Sequence, residues 1–163
     1  MLDSVILKRA SEVIQLCLTR KCKIATVESC TGGLISAALT AVSGASDVVD
    51  RGFVTYSNES KNQLVGVPLN LIDTCGAVSE EVARAMAEGG LRRSIAKITV
   101  SVTGIAGPGG GTKTKPVGLV HFACAHENKP TNSYFEVFSG DRSSVREATV
   151  LHAFNMIKTS VKL

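Results

Sequence analysis

Short β-branched runs alternate with stretches of helical period along this chain, and few architectures accommodate that order. Ser4 to Arg20 carries Ile6, Ala10, Val13, Ile14 and Cys17 at amphipathic spacing, the pattern of a helix with one buried face. Lys23 to Val27 follows as a β-leaning run that ends at Glu28-Ser29, and Thr31-Gly32-Gly33 leads into a helix over Leu34 to Ala41. Gly52 to Tyr56 reads as a second strand, and Asn58 to Leu64 as a short helix with Asn58 as its cap. Ser79 is placed to cap a helix reaching Arg93, with Glu80 and Glu81 in its first turn. Ile98 to Thr103 reads as a third strand and opens into a glycine-rich loop from Gly104 to Gly111. Val117 to Ala125 and Ser133 to Phe138 read as two adjacent strands, joined by a polar turn near Glu127-Asn128-Lys129-Pro130. Asp141 to Val161 closes the chain as a helix with Val150, Phe154, Ile157 and Val161 on one stripe.

Strands flanked by helices in this order predict an α/β fold: a three-layer α/β/α sandwich around a mixed, mostly parallel sheet of about five strands. The 163 residues suit one compact domain over residues 1–163, and no linker, repeat or compositional break divides them. In such a sheet the functional loops gather where the parallel strands end. Three segments leave strands that way: Ser29 to Gly33, Tyr56 to Lys61, and Thr103 to Gly111.

The formal net charge of +4 suits an anionic partner. Yet the basic residues come in ones and twos (Lys8-Arg9, Arg92-Arg93, Lys113 and Lys115), and there is no Trp, so neither a phosphate-tracking stripe nor a base-stacking platform is expected. A small phosphorylated substrate accounts for the charge better than nucleic acid. The five cysteines fall at irregular spacing without a CxxC pair or a Cys/His cluster, which argues against a metal site and for thiols in a reducing cytoplasm. No signal-peptide core or membrane-length apolar run is present, so no membrane association is expected.

Ser29 lies at a strand-to-helix turn, where unpaired N–H groups near Cys30, Thr31, Gly32 and Gly33 could receive an oxyanion or another anion. By position alone a helix cap is the first reading of Ser29, ahead of a nucleophile. A serine nucleophile needs a base. His121, His126 and His152 fall on a strand, a turn edge and the last helix, without paired acids, and support no Ser–His–Asp arrangement. Lys61 is the better candidate, because a place in the first turn of a helix together with burial favours the neutral amine. Tyr56 is placed to relay or orient its proton, and Cys30 is a secondary candidate for the nucleophile. Gly104 and Gly109 begin like a P-loop, but Gly110 and Gly111 stand where Lys and Ser or Thr are required. The loop's glycines, Gly104 and Gly107 among them, still allow close backbone approach to a phosphate or ribose. Arg142 and Arg146 could clamp that phosphate, and spacing does not choose between them.

Six blocks stand in order along the chain: Glu28-Ser-Cys-Thr-Gly-Gly33, Gly52-Phe-Val-Thr-Tyr-Ser-Asn-Glu-Ser-Lys61, Gly76-Ala-Val-Ser79, Val102-Thr-Gly-Ile-Ala-Gly-Pro-Gly-Gly-Gly111, Lys115-Pro-Val-Gly118 and Gly140-Asp-Arg142. Together they closely resemble the CinA C-terminal domain family, which includes stand-alone nicotinamide-nucleotide amidohydrolases. The resemblance implies hydrolysis of the carboxamide of nicotinamide mononucleotide to nicotinate mononucleotide and ammonia, with no cofactor or metal and with self-association. It also implies Ser29 as nucleophile, Lys61 as base, Tyr56 as its helper, and Thr103 and Arg142 as groups that hold the nucleotide. Longer members carry an additional N-terminal domain, so activity that depends on it is not expected here. The alternative is a nucleotide-binding or protein-interaction module that keeps the fold without catalysis. An oxidoreductase is disfavoured, because Tyr56 and Lys61 are five apart and no GxGxxG follows the first strand.

Overall fold

The computed structural model describes residues 2–163. Five strands form one mixed sheet: β1 (Ile24–Glu28), β2 (Val49–Val54), β3 (Ile98–Gly104), β4 (Leu119–His126) and β5 (Lys129–Val137), in the order β2-β1-β3-β4-β5. β1 runs parallel to both β2 and β3, whereas β4 is antiparallel to β3 and β5 antiparallel to β4. β1 is buried at every position, as an inner strand covered on both faces requires. β5 forms one outer edge, and it is there that Pro130 is tolerated.

Helices cover both faces of the sheet. α1 (Ser4–Arg20), α2 (Leu34–Thr40) and α6 (Arg142–Lys162) pack on one side, over a core that includes Ile24, Val100 and Phe122. α3 (Asn58–Val65), α4 (Leu69–Cys75) and α5 (Glu80–Arg92) lie on the other, around Val27, Ile72, Val82 and Met86. Small residues let α5 approach closely: Ala83 and Ala87 meet Ala123 and Ala125 of β4, and Ser101 Oγ donates to the Ala83 carbonyl at 2.6 Å. Gly89 completes this face, since a Cβ there would collide with the Val65 carbonyl at the end of α3. α3 is thereby pinned against α5, which fixes the position of the side chains it carries.

The expected three-layer α/β/α sandwich and its mixed sheet are what the chain adopts. Several local expectations shift. The cap of α3 is Ser57, whose Oγ accepts from the Ser60 N–H at 3.0 Å; Asn58 is the first helical residue. α4 was not anticipated from the sequence. β5 begins at Lys129, four residues before the expected Ser133, and only Glu127 and Asn128 remain between it and β4. β2 runs from Val49 to Val54, earlier than the expected Gly52 to Tyr56, so Thr55 and Tyr56 lie beyond its end. Among the described residues no helix is long and apolar enough to cross a membrane.

Candidate active site

The carboxyl ends of β1, β2 and β3 lie side by side, and the segments that leave them converge. Ser29 continues the β1 ladder by one bond, its N–H donating to the Val102 carbonyl at 3.0 Å. The chain then turns sharply. The Gly32 N–H donates back to the Ser29 carbonyl at 3.0 Å, and Gly32 and Gly33 take φ values of +60° and +98°, the left-handed region that favours glycine.

What holds this turn is the carboxylate of Glu28. Although the side chain is fully buried, its oxygens accept from Thr26 Oγ1 (3.2 Å), Thr31 Oγ1 (2.7 Å) and the N–H groups of Gly33 (3.0 Å), Ile35 (3.0 Å) and Ser36 (2.8 Å). Glu28 therefore does at a distance what a capping side chain does locally, for a helix whose N-cap, Gly33, has no side chain to offer. Ser29 is not the cap. The expected anion site shrinks accordingly: the Gly33 N–H is taken by Glu28 and that of Gly32 by Ser29. At the turn, the N–H groups of Cys30 and Thr31 donate to no other residue among those described.

The Ser29 hydroxyl faces Lys61 instead, at 3.0 Å from Nζ. Lys61 is 1% exposed, and its Nζ also lies 2.8 Å from the Thr55 carbonyl and 3.4 Å from that of Tyr56. No carboxylate forms an ion pair with it among the described residues. Burial pushes its pKa down from 10.5 to about 8. A neutral amine has two donors and one lone pair. With the carbonyls of Thr55 and Tyr56 taking the two N–H groups, the lone pair is left for the Ser29 hydroxyl. Burial has the opposite effect on Cys30, whose thiol is pushed up to about 12 and so stays protonated at neutral pH.

A cavity of about 200 Å³ opens above this pair. Ser29, Cys30, Tyr56, Lys61, Thr103, Gly104 and Arg142 line it, as do Asn58, Ala77, Val78 and Ala106, to which the sequence assigned no part in the site. Its wall carries Lys61 and Arg142 but no carboxylate, which favours an anionic ligand. Thr31, Gly32, Gly33 and Gly107 do not line it. Gly107 supports it from behind, its carbonyl accepting from Arg142 Nη1 at 2.9 Å. Arg142 Nη2 donates to the Tyr56 phenol oxygen at 3.2 Å, so that phenol sits at the mouth beside Arg142, while the main-chain carbonyl of Tyr56 is what meets Lys61. Thr103 Oγ1 donates to the Ala77 carbonyl at 2.8 Å and joins β3 to the wall before α5. Arg146 stands outside the cavity, with Nη2 on the Thr31 carbonyl at 2.9 Å. None of the three histidines reaches the site: His121 packs on Phe135, His152 packs between Phe122 and Tyr134, and His126 lies at the far end of β4.

Known proteins resemble this chain in sequence and in fold. The CinA C-terminal domain profile matches residues 7–161. A competence-damage inducible protein of Caldicellulosiruptor bescii is 50% identical over 91% of this chain and 36% of its own length. The chain thus spans about a third of that relative. The nicotinamide-nucleotide amidohydrolase PncC of Shigella flexneri is 42% identical over 96% of this chain and 95% of its own. Among solved structures, the competence/damage inducible protein CihA of Agrobacterium tumefaciens superposes with a TM-score of 0.95 at 43% identity, covering 100% of this chain and 99% of the other.

Proposed function

The chain belongs to the CinA C-terminal domain family, and from that membership and the Ser29–Lys61 contact we propose that it hydrolyses the carboxamide of nicotinamide mononucleotide to nicotinate mononucleotide and ammonia. The observation that carries the reading is a buried lysine with no carboxylate partner among the described residues, its Nζ 3.0 Å from a serine hydroxyl on the wall of a cationic cavity.

In this scheme neutral Lys61 takes the Ser29 hydroxyl proton as Oγ attacks the amide carbon, a carbon made more electrophilic by the pyridinium ring. The Cys30 N–H receives the developing oxyanion. Lys61, now an ammonium, returns its proton to the departing nitrogen, and ammonia leaves an acyl ester on Ser29. Water, deprotonated in turn by Lys61, adds to the ester carbonyl, and collapse releases the acid and restores the hydroxyl. No metal or cofactor takes part. Arg142, at the mouth, takes the substrate phosphate, and Thr103 and Gly104 flank the nucleotide. Free thiols at all five cysteines are in keeping with a cytoplasmic site of action.

Purified protein given nicotinamide mononucleotide should release one ammonia per nucleotide consumed, read by a coupled ammonia assay. Nucleotide binding without ammonia would instead identify the non-catalytic module. Because neutral Lys61 is the base and its pKa lies near about 8, kcat/KM should rise with pH and level off above that value, dropping about tenfold per pH unit below it. A profile flat from about pH 6 to 9 would remove Lys61 from the role. Arg142→Ala should raise KM by about 10- to 100-fold with kcat within a few-fold of wild type, the signature of uniform binding. A fall in kcat alone would move Arg142 from ligand binding to the chemical step.

A further inference from the structure

Arg146 is a half-buried cation that the proposed reaction leaves without a task. It lies one helical turn beyond Arg142 on α6, yet it does not line the cavity, so it is poorly placed to hold a phosphate there. Its guanidinium makes one hydrogen bond, from Nη2 to the Thr31 carbonyl, and its Nε is buried without a partner. Five donors have been brought next to a turn for a single main-chain contact.

That contact leads directly to the reacting centre. The carbonyl held by Arg146 belongs to the Thr31–Gly32 peptide, whose N–H donates to the Ser29 carbonyl at 3.0 Å. The Ser29 carbonyl belongs in turn to the peptide that carries the Cys30 N–H. Both peptides are trans, so each N–H points opposite to its own carbonyl. A Ser29 carbonyl drawn into the turn therefore sends the Cys30 N–H outward, and that N–H donates to no other residue among those described while Cys30 lines the cavity. A cation on the first carbonyl also strengthens the donor on the same peptide, and hydrogen-bonded peptides pass such polarisation along. Glu28 holds the Thr31 hydroxyl from the other side at 2.7 Å, so the unit cannot swing away.

We propose that Arg146 is a positioning residue for acyl transfer, aiming and polarising the Cys30 N–H through the two peptides of the Ser29–Gly32 turn. The inference rests on the reading of Ser29 as nucleophile, and it does not depend on which nucleotide is the substrate.

The test is Arg146→Met, with Arg146→Lys as the conservative variant. Deamidation of nicotinamide mononucleotide is measured together with phosphonylation of Ser29 by an alkyl fluorophosphonate, followed by intact mass. For Arg146→Met, kcat and the labelling rate should both fall about 10- to 100-fold, with KM within about twofold and the pH midpoint unmoved. Arg146→Lys, which returns a cation to the Thr31 carbonyl, should recover most of that loss. A large rise in KM with kcat retained would make Arg146 a substrate ligand and overturn the proposal; so would wild-type kcat and labelling in Arg146→Met. If that variant does not fold, Arg146→Gln, which keeps a neutral donor, takes the same test with a smaller expected loss. A wild-type protein that is labelled at Ser29 but leaves the nucleotide intact would refute the proposed substrate alone, and the labelling rates would still decide the role of Arg146.

Discussion

Ser29→Ala is expected to lower deamidation on the order of 10⁴-fold or more, and Lys61→Met to match it, because nucleophile and base act as a unit. The two variants should part company in stability. Ser29→Ala removes one hydroxyl from a buried contact and should leave the melting temperature nearly unchanged. Lys61→Met replaces a buried amine, with no carboxylate partner, by an apolar side chain of similar length. The sign follows from the depressed pKa, about 8 against an ordinary 10.5. Below about pH 8 the lysine is charged in both the folded and the unfolded chain, and the folded state bears the full cost of desolvating it. As pH rises toward 10.5 the cost fades, because the unfolded chain also loses its proton. Lys61→Met should therefore be inactive yet more stable than wild type at pH 7, by up to about 3 kcal/mol, with the gain shrinking toward pH 10. Thermal melts at the two pH values, run beside the ammonia assay, check it. An inactive variant that melts lower at pH 7 would show that Lys61 supports the fold and would weaken the case for a base held at a cost in stability.

The second large effect falls on a residue outside the reaction scheme. Glu28→Ala should destabilise the fold by about 3–5 kcal/mol, since it leaves two hydroxyls and three main-chain N–H groups with no acceptor in a dry interior. For a chain of this size that is a loss of roughly 8–15 °C in melting temperature. α2 has few means to compensate. It is seven residues long, begins at a glycine cap without a side chain, and relies on the carboxylate for three of its N-terminal donors. Glu28→Gln keeps the volume and one acceptor oxygen and should fall between the two. A Glu28→Ala variant melting within a few degrees of wild type would mean that water or a shifted side chain satisfies those donors.

The places where sequence reasoning succeeded and failed follow from how far each feature depends on tertiary contacts. Periodicity located α1, and capping chemistry located Ser79 at the head of α5, because both are local patterns. α4 escaped because seven residues behind Pro68 are too few to show a period. The start of β5 was obscured by Pro130, which signals a break unless the strand is known to be an edge. At the site, the turn carrying Ser29 could be read from its glycines, and Lys61 from its place on a capped helix. That the two lie 3.0 Å apart depends on the packing of α3 against α5, which no short-range pattern reports. Arg142 and Arg146 are one turn apart and chemically identical. Only the direction of α6 sends one guanidinium to the cavity and the other behind the turn. Glu28 stands in a motif that does not reveal its role, because a buried carboxylate makes sense only once its donors are located.

The presence of Glu28 at the head of α2 bears on how turnover ends. A bare helix N-terminus beside Ser29 would offer a resting place to the acid formed there, since released carboxylates bind such ends readily. In this chain that berth is already filled by a carboxylate of its own. Under the proposed reaction, the nicotinate group gains a negative charge next to a helix end whose Gly33, Ile35 and Ser36 N–H groups are taken by Glu28. The helix end therefore adds nothing to product binding, and the phosphate that the product shares with the substrate keeps product inhibition on the scale of substrate binding.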